Sequence, residues 1–164
     1  MNLHSTTLNR NNQVKNQAKL QWVMLQIGDF ICLLPQQEVC AVESVNAMVV
    51  SNSTVPPALG KIRFAQQEWP CYCLSEQLQF LSLAPSARRA CLILRHEQDY
   101  FGLLCDDARV LPQTADQVHA LPTAMRSPHS PLLGLVQMQN QLACLSDSAQ
   151  IARYARQYQW ELAA

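Results

Sequence analysis

The stretch QQEWPCYCLSEQL, Gln66 to Leu78, places Cys71 and Cys73 one residue apart in a chain of 164 residues that carries 7 cysteines. On an extended strand, residues i and i+2 share a face, so both thiols and Trp69 point the same way. Three chemistries compete for such a pair. A Cys-x-Cys can supply two ligands to zinc, but a closed structural site needs four. The other donors would be Cys32, Cys40, Cys91, Cys105, Cys144 or the histidines, and none of them forms a Cys-x2-Cys or His-x3-His pair. His4 lies in a polar N-terminal segment, and His119 and His129 lie in Pro-containing loops. A redox pair needs an exposed thiol beside positive charge, and only Cys91, following Arg88-Arg89, has that neighbourhood in the sequence. The third chemistry is none at all. Cys32, Cys40, Cys91, Cys105 and Cys144 all fall in apolar runs, where a free cysteine behaves as a small hydrophobe. Packing is the expected role.

Asp106-Asp107 is the other candidate for chemistry, as a cation site. Neighbours on a strand point to opposite faces, so a shared metal would require a bulge or turn; a solvated turn after a buried strand is the expected reading. The chain has no Gly-x-Ser-x-Gly, Gly-x4-Gly-Lys-Ser/Thr or Gly-x-Gly-x2-Gly motif, and with 4 glycines it has little material for a phosphate-cradling loop. No catalytic residue and no cofactor are expected. Lys plus Arg equals Asp plus Glu, 12 against 12, so the basic excess that displaces counterions from nucleic acid is missing. No run reaches the roughly 18 apolar residues that span a bilayer, and the polar N-terminus lacks the apolar stretch of a secretory signal. The expectation is a cytoplasmic protein with free thiols.

The elements that position these residues read as short strands broken by turn signals. Residues 1–19 are polar and aperiodic and read as a flexible tail. WVMLQIGDFICLLP is two apolar runs around Gly28-Asp29, a tight hairpin, and QQEVCAVESV adds a third run. After the loop SNSTVPPALG, KIRFAQQEWPCYCL reads as a second hairpin with its turn near Gln66-Gln67. SEQLQFL then reads as a short helix capped by Ser75. The plan repeats: ACLILRHEQDYFGLLCDDARVL is a hairpin and its exit, and LLGLVQMQNQLACLSDSAQIARY follows a second loop. Leu59-Gly60 and Leu133-Gly134 each open a strand that ends in Cys-Leu-Ser, at Cys73–Ser75 and at Cys144–Ser146. Two units in the same order indicate a duplicated architecture, each with enough strands for a small barrel. Two barrels side by side would pool their apolar faces. The C-terminal stripe of Ile151, Tyr154, Ala155 and Tyr158 has helical spacing, with Asp147 placed to cap.

On these motifs the chain resembles the CheW-like family, adaptors that couple chemoreceptors to the histidine kinase CheA in bacterial chemosensory arrays. The first signature is the opening strand, Gly-Asp turn and strand of LQIGDFICLLPQQEVCAV. The second, Gly-x-x-x-hydrophobic-Arg-Gly-x-x-x-Pro-x-x-Asp-Leu, aligns without gaps to GKIRFAQQEWPCYCL, Gly60 to Leu74. The third, Gly-Leu-hydrophobic-hydrophobic-Asp, aligns to GLLCDD, with Asp106 retained. The likeness covers residues 21 to 155. Ala65-Gln66 replaces the family's Arg-Gly, and Cys73 replaces its acidic or amide residue, which marks a divergent member.

The resemblance implies a mainly β fold: two intertwined five-stranded SH3-like barrels with short helices and a C-terminal helix. Residues 20–164 would form a single CheW-like domain of two barrel subdomains. It implies no catalysis and two partners, the regulatory domain of a CheA-type kinase and the cytoplasmic tip of a chemoreceptor, in a flagellar or a pilus-based twitching system. Ile62, Arg63, Phe64 and Ala65 of the second signature, with Val39 and Val42, are the implied protein-binding residues; Ile62 and Phe64 have a core reading of equal weight. A module of the same fold that senses a ligand or redox state is the alternative, and self-association stays open.

Overall fold

Four two-residue turns organise the chain. In the computed structural model, which describes residues 21–111 and 118–163, β1 (Trp22–Ile27) and β2 (Phe30–Pro35) pair around Gly28-Asp29. After β3 (Val39–Ser44), β4 (Gly60–Phe64) and β5 (Gln67–Tyr72) pair around Ala65-Gln66. β6 (Ala90–His96) and β7 (Asp99–Cys105) turn at Glu97-Gln98. Beyond β8 (Asp107–Val110) and β9 (Val118–Ala120), β10 (Gly134–Met138) and β11 (Gln141–Leu145) turn at Gln139-Asn140. One helix, α1 (Ser148–Ala163), ends the fold. The hairpins and the helix are where the sequence puts them. The segment read as a tail, residues 1–19, lies outside the described residues.

The hairpins combine in a swapped order. A six-stranded sheet runs β8-β1-β2-β11-β10-β9, and a five-stranded sheet runs β3-β6-β7-β5-β4. The opening hairpin therefore pairs with the closing one, through parallel β2 and β11 (Cys32 beside Cys144). The two inner hairpins join in the same way, through parallel β7 and β5 (Gly102 beside Cys71). The two sequence units are present, but each sheet draws a hairpin from both. The five-stranded sheet also curls on itself: Val49 and Lys61 exchange two backbone hydrogen bonds of 2.8 Å.

Three apolar clusters fill the space. Between the sheets, Val23, Leu25, Ile27, Cys32 and Leu34 meet Leu92, Leu94, Phe101, Leu103 and Cys105. Inside the five-stranded sheet lie Ile62, Cys71, Cys73, Cys91, Ile93 and Leu104. Inside the six-stranded sheet lie Trp22, Leu33, Val136, Ala143 and Leu145. Alternate residues of one strand serve two clusters, Leu92 and Leu94 on one face of β6 and Cys91 and Ile93 on the other. That is why β2, β6 and β7 read as unbroken apolar runs. Each leucine or isoleucine so buried contributes about 1.5–3 kcal/mol relative to exposure.

Helix α1 closes the central core with Ile151 and Ala155. Asp147 caps it, its Oδ1 accepting from the Gln150 amide at 2.8 Å, and Glu38 accepts from the Ser148 amide at 2.7 Å. The short helix expected at SEQLQFL does not form. Ser75 Oγ accepts from the Gln77 and Gln79 amides, as a capping residue would, but Leu78 has φ of +62°, which a right-handed helix cannot contain. The chain instead folds back so that Phe80 bridges Leu74.

Candidate protein-binding surface

The β4–β5 hairpin fixes four of the expected binding residues by strand alternation. Ile62 faces inward and is 2% exposed, so its side chain belongs to the core and not to a contact surface. Phe64 faces the same way but sits at the open end of the sheet, half-buried. Its ring packs edge-on against Tyr100 at 5.0 Å, and Trp69 packs on the same tyrosine at 5.3 Å. Trp69 Nε1 donates to the Phe64 carbonyl at 2.9 Å, which fixes the hairpin end. Arg63 points outward and is exposed, as is Ala65 in the turn.

Ala65 and Gln66 both have positive φ, +49° and +65°. This backbone suits a two-residue hairpin, and it explains what a glycine does at the second turn position in the resembled signature. Gln66 holds that conformation at the cost of its Cβ.

Val39 and Val42 lie on β3, which β6, β7 and β5 separate from β4 in the sheet order. With Ile62 in the core, the other five expected residues lie at two separate places, the β4–β5 hairpin end and β3. Val39 is half-buried against the central core. Val42 is 54% exposed and lines a groove of about 540 Å³ with Ala87, Arg89, Ala90, Asp106, Asp107 and Ala108. These come from β3, from the start of β6 and the segment before it, and from β8 and the residue before it, so the groove runs between the sheets. Sequence reasoning missed its alanines, because small side chains carry no chemical signal until the topology sets them beside a wall.

The groove floor is held by ions. Arg88, buried, donates to Asp106 Oδ1 at 2.6 Å and to the Leu74 carbonyl at 2.8 Å. Asp106 Oδ2 accepts from the Gly28 amide at 2.7 Å. The Gly28 turn, the strand end after β7 and the loop after β5 are thereby tied to one point. Asp107 pairs instead with Arg109, whose guanidinium holds its carboxyl below the usual range. The two aspartates diverge, as strand alternation requires.

Burial decides the cysteine question. Cys71, Cys73 and Cys91 are wholly enclosed in the five-stranded sheet. Cys71 and Cys91 place their sulfurs 3.8 Å apart, on strands that flank β7. Two strand spacings amount to about 9–10 Å between backbones, more than a disulfide spans. Contact with Cys91 and burial push the Cys71 thiol up; burial alone leads in Cys73 and Cys32 and takes Cys105 to about 12. The reactive neighbourhood read for Cys91 is not realised, since Arg88 is committed to Asp106 and Cys91 sees no solvent. Cys40, expected inside, is exposed on β3, and Cys144 is half-buried. Among the described residues, no group of three or more His, Cys, Asp or Glu is placed to hold a metal, and no helix is long and apolar enough to cross a membrane.

No family model and no curated protein sequence matches this chain. Its three-dimensional structure is similar to the crystal structure of scaffolding protein TtCheW from Thermoanaerobacter tengcongensis. The TM-score is 0.64 at 14% identity, over 77% of this chain and 88% of that one. The interleaved sheets, the groove between them and the terminal helix together identify the architecture: this chain has the CheW-like fold.

Proposed function

We propose that the chain is a non-catalytic cytoplasmic adaptor of a chemosensory pathway, working as one domain over residues 20–164. The observation that carries this reading is the groove between the sheets, with exposed Val42 on its wall, in a fold that is similar to a scaffolding protein. The groove receives the helical tip of a methyl-accepting receptor. The open end of the β4–β5 hairpin, with Arg63, Phe64 and Ala65, meets the regulatory domain of a CheA-type kinase. Because the two surfaces lie on one rigid double sheet, a receptor state that favours one orientation of the kinase shifts the kinase population.

Isothermal titration of the full chain against each partner from its own genome tests this. Val42→Arg obstructs the groove and Arg63→Glu reverses the hairpin charge, and both positions are exposed enough to leave folding intact. Micromolar binding of both partners is expected, with Val42→Arg losing the receptor tip and Arg63→Glu the kinase domain. Wild-type protein that binds neither partner at micromolar concentration overturns the reading.

A further inference from the structure

A second concavity lies away from the groove, beneath the last turns of α1. Phe80 is its centre. The ring stacks on Tyr154 at 5.0 Å and 26°, tilts against Tyr158 at 5.0 Å, and meets Tyr72 at 5.8 Å. Tyr154 is fixed from its far end, where its hydroxyl donates to the Leu78 carbonyl at 2.6 Å. The positive φ of Leu78 that prevents a helix there is what turns Phe80 back under α1.

The Phe80, Tyr154 and Tyr158 rings border a cleft of about 470 Å³ that is completed by Gln79, His129, Gln157 and Glu161. On the other side of the Phe80 and Tyr158 rings is a smaller hollow of about 330 Å³ under the 51–59 loop. Both volumes fall in the size range of small-molecule sites. Among the described residues that line the larger cleft, Glu161 is the carboxylate and none is a lysine or arginine. Arg153, on α1, is engaged away from the cleft, where it donates to the carbonyls of Pro128 and Ser130. Burial, and then the charge of Glu161, push the Tyr154 phenol up.

We propose that this cleft binds a small organic ammonium ion, with the faces of Tyr158 and Phe80 against the cation and Glu161 as its counter-charge. Three aromatic rings held by one another, beside one carboxylate, meet the requirements for recognition of a quaternary or primary ammonium ion. The site is separate from both adaptor surfaces, so it stands or falls independently of them.

Choline is the probe, and 3,3-dimethylbutan-1-ol, its uncharged isostere, is the control. Ring-proton chemical shifts of the full-length protein are followed during each titration. Choline is expected to shift the Tyr154, Tyr158 and Phe80 rings, with an affinity on the order of 1 mM for an exposed site, while the isostere leaves them unmoved. Tyr158→Leu, which keeps the apolar bulk, is expected to weaken choline roughly 5-fold. Glu161→Gln, at an exposed position that cannot unfold the chain, is expected to weaken it by a similar factor. Absence of a shift with choline, equal shifts with the isostere, or binding unchanged in both variants each overturns the proposal.

Discussion

Arg88 and Asp106 meet at 2.6 Å with their side chains 5% and 20% exposed, and through them the two sheets are bolted together. The guanidinium also reaches the Leu74 carbonyl, and the carboxylate also holds the Gly28 amide. Breaking a buried pair by removing one partner is worse than removing both, because the survivor is left charged and unpaired. Asp106→Ala is therefore expected to lower stability by about 3 kcal/mol, and Arg88→Met/Asp106→Ala by less than the sum of its parts. Urea denaturation of the two single variants and the double variant measures the coupling. Additive losses would mean that the pair does not act as a unit.

The turn of the β4–β5 hairpin predicts a gain. Gln66 holds φ of +65°, a left-handed conformation that costs a residue with a Cβ about 1–2 kcal/mol. Gln66→Gly removes that cost and gives back part of it as backbone entropy, so a net stabilisation of about 1 kcal/mol is expected. A lower urea midpoint in the variant would refute the account of this turn.

Asp147 predicts a pH dependence. Burial raises its pKa above the ordinary 3.8, with Glu38 adding to the rise. A carboxyl whose folded pKa is raised binds its proton more tightly in the native state. Its contribution to stability is therefore greatest below the unfolded value, near 4, and falls as pH climbs through the folded value. Asn caps a helix as well as Asp does and carries no charge. Asp147→Asn is expected to be more stable than wild type at pH 7, with the difference shrinking toward pH 4. Asp147→Ala, which loses the cap, is expected to lose about 1 kcal/mol. Thermal melts across that range check both signs.

Thiol reactivity predicts a count. Cys40 is exposed, Cys144 half-buried, and Cys32, Cys71, Cys73, Cys91 and Cys105 are buried. Ellman's reagent is expected to find one fast thiol, one slow thiol and five that react only on unfolding. Fast labelling of Cys71 or Cys91 would reopen a redox role.

Gly102 predicts a clash. A Cβ there would lie 2.6 Å from the sulfurs of both Cys71 and Cys91, so Gly102→Ala is expected to cost about 1–3 kcal/mol. Adding Cys71→Ala empties part of the space and should return some of that loss, a rescue that denaturation curves of the two variants would reveal.

The hairpins were legible because their signals are local: a turn pair between two apolar runs specifies a register. The exchange of hairpins between the sheets was not, since nothing within β1 or β2 says which partner edge it meets. The candidate site divides along the same line. Arg63, Phe64 and Ala65 could be placed on a hairpin end from alternation alone. The exposure of Val42 and Cys40 on β3 could not, because it depends on what packs over a strand. The helix at SEQLQFL failed for a related reason: Ser75 binds the amides a cap would bind, and the positive φ that diverts the chain at Leu78 has no signal in a leucine.

The swapped order of hairpins also sets an order of assembly. The five-stranded sheet draws on a continuous stretch from β3 to β7 and can form while the rest is still being synthesised. The opening hairpin has to wait for β11, which leaves the ribosome last among the strands. Until then the β2 edge is unpaired and α1 does not cover Ile27, Leu34 and the rest of the central core, the condition under which strands pair between chains. Its contacts are of high sequence separation, so this docking is expected to be the slow step of folding. A chain halted before β10 is expected to aggregate more readily than one in which β10 and β11 have been made.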